Sequence, residues 1–206
     1  AGVDPDNGNP LWYMDEKDAN DNLTGKRVTT SDYASANYYY VNKSSLPKVY
    51  GGFNTSLSWK GFDLSAIFAY SIGGYIYNRD ITMILHNGSL EGRDWSTEIL
   101  KRWTPENRYT DVPALSTTSN NWNSASTRFL QNNSYMRLKN LTLSYDLPKQ
   151  WISKLALSSV QVFVQGDNLF TIHRNQGLDP EQGITGITYY RYPAMRTISG
   201  GINLSF

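Results

Sequence analysis

The chain has 206 residues and a net charge of +1 from 19 basic and 18 acidic side chains, which leaves no electrostatic case for nucleic acid. Mean hydropathy is −0.51 and no run approaches the roughly 18–20 apolar residues of a spanning helix; this excludes helical membrane proteins but not barrels, whose strands alternate apolar with polar residues. With no cysteine, disulfides and thiolate metal sites are excluded too.

The first residues, AGVDPDNGNPLWYMDE, lack a basic region followed by an apolar run. They are no signal peptide, and the chain is expected to begin inside a longer protein. Residues 1–48 are rich in Asp, Asn, Gly and Tyr without a sustained period, and read as a long loop. Alternation begins in VYGGFNTSLSW, where Phe53, Thr55, Leu57 and Trp59 share a face. Lys60-Gly61 is expected to form a two-residue turn. Phe62, Leu64, Ala66, Phe68 and Tyr70 continue the face, so Trp59 and Phe62 should pair.

Residues 78–133 read as a second long polar loop. Within it Trp95, Ile99 and Trp103 fall at i, i+4 and i+8, which predicts a short amphipathic helix capped by Asp94 or Ser96. Alternation returns with Leu141, Leu143 and Tyr145, then with Val160, Val162 and Val164 after a turn over 146–158. A third loop, 172–195, precedes a last strand carrying Ile198, Ile202, Leu204 and Phe206 on one face. These apolar-phase positions carry no charge. The opposite positions are mostly Ser, Asn, Gln, Thr and Asp, with Ile67, Ala69 and Phe163 as exceptions.

A soluble sandwich would alternate in the same way. Three features favour a membrane barrel. Aromatic residues cluster at strand ends: Trp59, Phe62, Tyr145 and Phe206 at one, Tyr50, Tyr70 and Tyr135 at the other. Connections alternate short and long, as periplasmic turns and extracellular loops do. The final strand ends on an aromatic residue, Phe206, which resembles the signal read by the outer-membrane barrel assembly machinery.

Seven blocks then carry a family resemblance. GVDPDNGNPLWY, PKVYGGFNTSLSWKGFDLSAIFAYSIGGYIYN, RWTPENRYTDVP, NNSYMRLKNLTLSYDLP, VFVQGDNLFTI, GLDPE and YPAMRTISGGINLSF resemble, in this order, the C-terminal part of SusC/RagA-type TonB-dependent outer-membrane transporters. The resemblance implies an all-β antiparallel transmembrane barrel, with this chain supplying about five strands of a 22-stranded wall. It implies a plug domain that lies outside the chain, control by the TonB complex, and a SusD-like lipoprotein lid as partner. Open strand edges in lipid cost several kcal/mol per unsatisfied backbone group, so the remainder of the barrel is an expected partner.

No enzyme chemistry is legible. His86 and His173 lack clustered ligands, and Asp4-Pro-Asp6-Asn7-Gly8 lacks the closing Glu of a calcium loop and reads as a turn. No metal or cofactor is implied. Gly51-Gly52 and Gly73-Gly74 read as bulges or bends. Candidate contacts to a ligand or lid are Tyr38, Tyr39, Tyr40, Trp95, Trp122, Tyr189 and Tyr190, which otherwise fold the loops upon themselves. Phe53, Leu57, Phe68, Leu143, Val162 and Leu204 are expected to face outer-membrane lipid. Asp63, Gln161, Gln165 and Asn203 are expected to face the lumen and bond to the plug or water. The expected function is import of nutrients, glycans or peptides, across a bacterial outer membrane, with loops 1–48, 78–133 and 172–195 on the cell exterior. The alternative is a secreted all-β glycan-binding or adhesion module.

Overall fold

The structure is a computed structural model that describes residues 1–206 except 89, 154–156, 176, 178, 182–184 and 189. Its strands are β1 (Gly2–Val3), β2 (Pro10–Lys17), β3 (Leu23–Thr30), β4 (Val49–Trp59), β5 (Phe62–Ile72), β6 (Tyr75–Tyr77), β7 (Leu130–Asn132), β8 (Tyr135–Asp146), β9 (Ser159–His173) and β10 (Thr197–Ser205). Among the described residues the helices are α1 (Arg79–Ile84), α2 (Lys149–Ile152) and three short 3-10 turns. The chain divides into two compact units: Ala1–Asn42 with Asn78–Phe129, and Lys43–Tyr77 with Leu130–Phe206.

The second unit is built on one antiparallel sheet of five strands in the order β10-β9-β8-β5-β4. The predicted register holds: Trp59 pairs with Phe62 across a turn in which Lys60 and Gly61 have φ of 49° and 86°. Two successive positive φ values are those of a type I′ turn, whose twist matches the flanking strands. Gly61 supplies one of them without strain. Further along the same pair Phe53 stacks on Phe68 with ring centroids 4.7 Å apart.

One irregularity decides the sheet's chemistry. Strict alternation back from Leu141 would put Lys139 and Arg137 on the apolar face. Instead the pairing of β5 with β8 skips one residue: Ile67 faces Asn140, and Phe68 faces Leu138. Lys139 is the extra residue of a bulge, and it returns Leu138 and Met136 to the apolar face while turning Arg137 to the polar one. In β9 the matching segment, Asp167 to Phe170, holds two extra residues rather than one, so its own phase is unchanged.

The chain bends at Gly73-Gly74, as expected. Gly73, at φ 91°, ends β5, and β6 pairs with β7 in a separate two-stranded sheet. The expected aromatic girdle is only half right. Trp59, Phe62 and Tyr145 form a row on the apolar face, with Phe62 and Tyr145 rings 4.4 Å apart. At the other end Tyr50 and Tyr135 both pair with Ser71, which places them on the polar face. Only Tyr70 stands there on the apolar side.

The first unit corrects the reading of residues 1–48 as a loop, because β1, β2 and β3 form a three-stranded sheet there. Its period is hidden by a register shift between Asp15 and Lys17. Asp18 accepts from the amides of Asn20 and Asn22 at 2.8 and 2.9 Å and closes the connecting turn. Asp4-Pro-Asp6-Asn7-Gly8 is a turn as expected: the Gly8 amide donates to the Asp4 carbonyl at 2.8 Å. The Trp103 ring lies so close over Gly8 that any β-carbon would sit 2.6 Å from it. The predicted short amphipathic helix around Trp95, Ile99 and Trp103 reduces to a 3-10 turn, Thr97–Lys101, capped by Ser96. Pro105 and the Trp103–Pro5 hydrogen bond of 3.1 Å stop it early.

The hairpin turn gives a direct expectation. Gly61→Val forces a β-branched residue into the left-handed region and should lower stability of the folded barrel by about 1–2 kcal/mol. Lys60→Asn, which tolerates positive φ, should leave stability equal or slightly higher. Urea unfolding in lipid vesicles measures both.

Candidate functional site

The two faces of the five-stranded sheet differ completely. On one, Phe53, Leu57, Leu143, Val162 and Leu204 are exposed, Phe68 is half-buried beneath Phe53, and Trp59, Phe62, Val164, Phe170, Ile172, Ile198 and Ile202 extend the same exposed band. A monomeric soluble protein rarely exposes an apolar patch beyond a few hundred Å². Here the patch runs across all five strands. Such a surface requires an apolar environment or a cover.

The other face is a ladder of cross-strand hydrogen bonds. Asn140 Nδ2 donates to Asp167 Oδ1 at 2.8 Å, Gln161 Nε2 to Asp146 Oδ1 at 3.0 Å, and Asn203 Nδ2 to Gln161 Oε1 at 3.2 Å. Gln165 Nε2 donates to both oxygens of Asp167, and Ser58 bonds to Asp63. Asp63, Gln161, Gln165 and Asn203 thus bond within the sheet. Ile67 and Ala69 are apolar exceptions on this face, and so is Phe163, which lies over Gly201, where a β-carbon would meet its ring at 2.8 Å.

The polar face also holds a charged cluster that the sequence did not reveal. Arg137 and Asp179 have side chains only 4% and 6% exposed and form an ion pair. Arg137 Nη1 reaches Glu181 Oε2 at 2.7 Å, and its Nε donates to Thr171 Oγ1 at 2.8 Å. Lys139 Nζ binds the same Glu181 oxygen at 2.6 Å. Asp179 accepts further from the amides of Glu181 at 2.9 Å and Ala194 at 2.6 Å. Burial pushes the Asp179 carboxyl upward, but the Ala194 and Glu181 amides and Arg137 together outweigh it and hold it below the usual range. The one sequence signal was a pair of basic residues two apart opening a strand, with Asp-Pro-Glu downstream.

The loop aromatics scatter. Trp122 is 5% exposed, with Arg128 stacked 4.5 Å from its ring centre, so it belongs to the core of the first unit and offers no surface for a ligand. Trp95 is exposed and meets His86 edge-on at 5.2 Å. Tyr39 is tied down, its hydroxyl donating to Asp15 at 2.9 Å and its ring under Arg27. Tyr38, Tyr40 and Tyr190 are exposed, and Tyr189 lies outside the described residues.

The cluster makes a measurable prediction. Arg137→Met leaves Asp179 buried without its cation and should cost about 3–5 kcal/mol locally. Exchange of the Ala194 amide reports it. In the parent protein the Asp179 carboxyl is shifted down, so its contribution is complete above the unfolded pKa of about 3.9. Protection at Ala194 should therefore persist at pH 5 and fall only as pH drops through the lower folded value.

No family model matches the chain. It is similar to the TonB-dependent receptor P3 of Formosa agariphila, 33% identical over 166 residues, which make up 75% of this chain and 16% of that protein. A second receptor of the same organism, P26, is 30% identical over 173 residues, 79% of this chain and 17% of the relative. The TonB-dependent receptor SusC of Bacteroides thetaiotaomicron is 27% identical over 168 residues, 81% of this chain and 16% of its own length. Among solved structures, the RagAB peptide transporter superposes with a TM-score of 0.83 at 36% identity, covering 100% of this chain and 22% of the matched one. The RagAB peptide importer in its open-open state superposes with a TM-score of 0.83 at 34% identity, covering 100% and 21%. These relatives are receptors and transporters, not enzymes. The chain spans about a sixth of the length of its curated relatives. It belongs to the SusC/RagA family of TonB-dependent receptors, and its five-stranded sheet is a segment of the family's β-barrel.

Proposed function

We propose that this chain forms part of the wall and extracellular rim of a bacterial outer-membrane transporter that imports nutrients under TonB control. The observation that carries the reading is the uncharged apolar band across all five strands, backed by a face of hydrogen-bonded polar side chains. Lipid satisfies the first face, and an aqueous, plugged lumen satisfies the second. A secreted adhesion module would leave the apolar band without an occupant.

In this reading Phe53, Leu57, Phe68, Leu143, Val162 and Leu204 touch lipid. Strands β4 and β10 are the outer strands of the described sheet, so neighbouring strands from the remainder of the barrel pair with them. Phe206 lies exposed just beyond β10 and extends the apolar residues of that strand. Residues 1–48, 78–133 and 172–195 lie outside the cell, where Tyr38, Tyr40, Trp95 and Tyr190 are available to a SusD-like lid or a ligand. The RagAB peptide importer, with its open-open and closed-closed states, supports a transporter that works with a partner subunit. The plug and the TonB contact belong to the rest of such a transporter.

Two experiments test this. Leu143→Arg and Val162→Arg should each cost on the order of 2–4 kcal/mol near the bilayer midplane and reduce the folded fraction in outer membranes. Unchanged yield and stability for both would remove these residues from the lipid face. A membrane-impermeant thiol reagent on intact cells should label Ser119→Cys and spare Gln150→Cys. The reverse pattern would invert the topology.

A further inference from the structure

Where β4, β5 and β8 end, the sheet borders a cavity of about 310 Å³. Tyr50, Ser71 and Tyr135 line it from three adjacent strands. Tyr50 pairs with Ser71, and Ser71 with Tyr135, so the three side chains stand in one row on the polar face. Pro47, Asn133 and Pro180 close it from the connecting segments.

The chemistry of this lining is specific. No Asp, Glu, Lys, Arg or His is among the described lining residues. A charged ligand would lose its water there without gaining a counter-ion. Asn133 is already committed, donating to the Pro180 carbonyl at 2.8 Å and accepting from Asn175 at 2.9 Å. Among the described residues, the hydroxyls of Tyr50, Ser71 and Tyr135 hold no hydrogen-bond partner. Each can both donate and accept.

The wall at Pro180 is held in place. Its neighbours Asp179 and Glu181 are the two carboxylates gripped by Arg137 and Lys139. The buried ion cluster thereby positions one side of the cavity, although none of its charges lines it.

We propose that this cavity is a subsite for an uncharged sugar ring of an oligosaccharide passing along the inner wall, an inference that rests on the import reading above. Tyrosine rings offer flat apolar faces to the C–H surface of a pyranose, and the row of hydroxyls matches its alternating donors and acceptors. The volume lies at the low end of the roughly 300–1,000 Å³ of small-molecule sites, suited to one ring rather than a long segment.

The test uses the complete transporter with its partner subunit, purified from outer membranes, and calorimetric titration with maltohexaose, cellohexaose, laminarihexaose and the neutral tetrapeptide Ala-Phe-Ala-Ala. The parent protein should bind at least one hexasaccharide. Ser71→Trp, which fills the cavity, and Tyr135→Ala should each weaken that binding at least tenfold. Tyr109→Ala, in the other unit, should not. Tyr50→Ala guards against misfolding: Tyr50 is exposed, and retained heat-modifiable gel mobility shows that the barrel is intact. A tenfold loss in this folded variant supports the subsite. Undiminished sugar binding in folded Ser71→Trp and Tyr50→Ala overturns it. No hexasaccharide binding to the parent also overturns it, and tetrapeptide binding lost in Ser71→Trp would then give the cavity to peptides. The import reading fails separately, through absence of TonB-dependent uptake of any of these solutes by cells carrying the parent transporter.

Discussion

Side chains along a strand alternate between two faces, so one inserted residue reverses every side chain beyond it. The sheet depends on that constraint. Five strands must present their apolar residues to the same side, and β8 contains Arg137 and Lys139 among its apolar residues. The bulge at Lys139 reconciles them. It keeps Met136, Leu138, Leu141, Leu143 and Tyr145 opposite Tyr70, Phe68, Ala66, Leu64 and Phe62. Without it, two cations would face the apolar side of the sheet.

The same irregularity creates the charged cluster. Once Arg137 is turned to the polar face it stands beside Thr171, and the Asp-Pro-Glu segment folds down onto it. A buried ion cluster of this kind contributes position more than stability, because desolvation of the charges offsets most of their attraction. Its consequence is geometric: backbone amides at Glu181 and Ala194 are fixed on Asp179, and the chain entering β10 is held near the wall.

The sequence disclosed what depends on period. The hairpin at Lys60-Gly61, its register, the five strands and the apolar set all follow from alternation and turn chemistry. It concealed what depends on interruptions of period. A bulge is one residue long, and nothing in YMRLKNL marks which residue is extra. Distance along the strand alone suggests a girdle role for Tyr50, although alternation back from Phe53 already puts it on the polar face; for Tyr135 the bulge hides the face. The sheet of β1–β3 was missed because its pairing is shifted in register after Asp15 and β3, LTGKRVTT, is largely polar on both faces. Trp122 shows the remaining difficulty: a tryptophan in a polar loop looks like a binding surface until the loop proves to have its own core of Ile99, Val112 and Phe129.

The most direct measurement of the central claim is site-directed spin labelling of the complete barrel in lipid, scanning β8 for collisional access to oxygen, which concentrates in the bilayer. Lipid contact should appear at positions 136, 141 and 143 and be low at 137, 142 and 144, so that the alternation changes phase across Lys139. Unbroken alternation placing 137 with 141 and 143, or equal oxygen access at all six positions, would contradict the account.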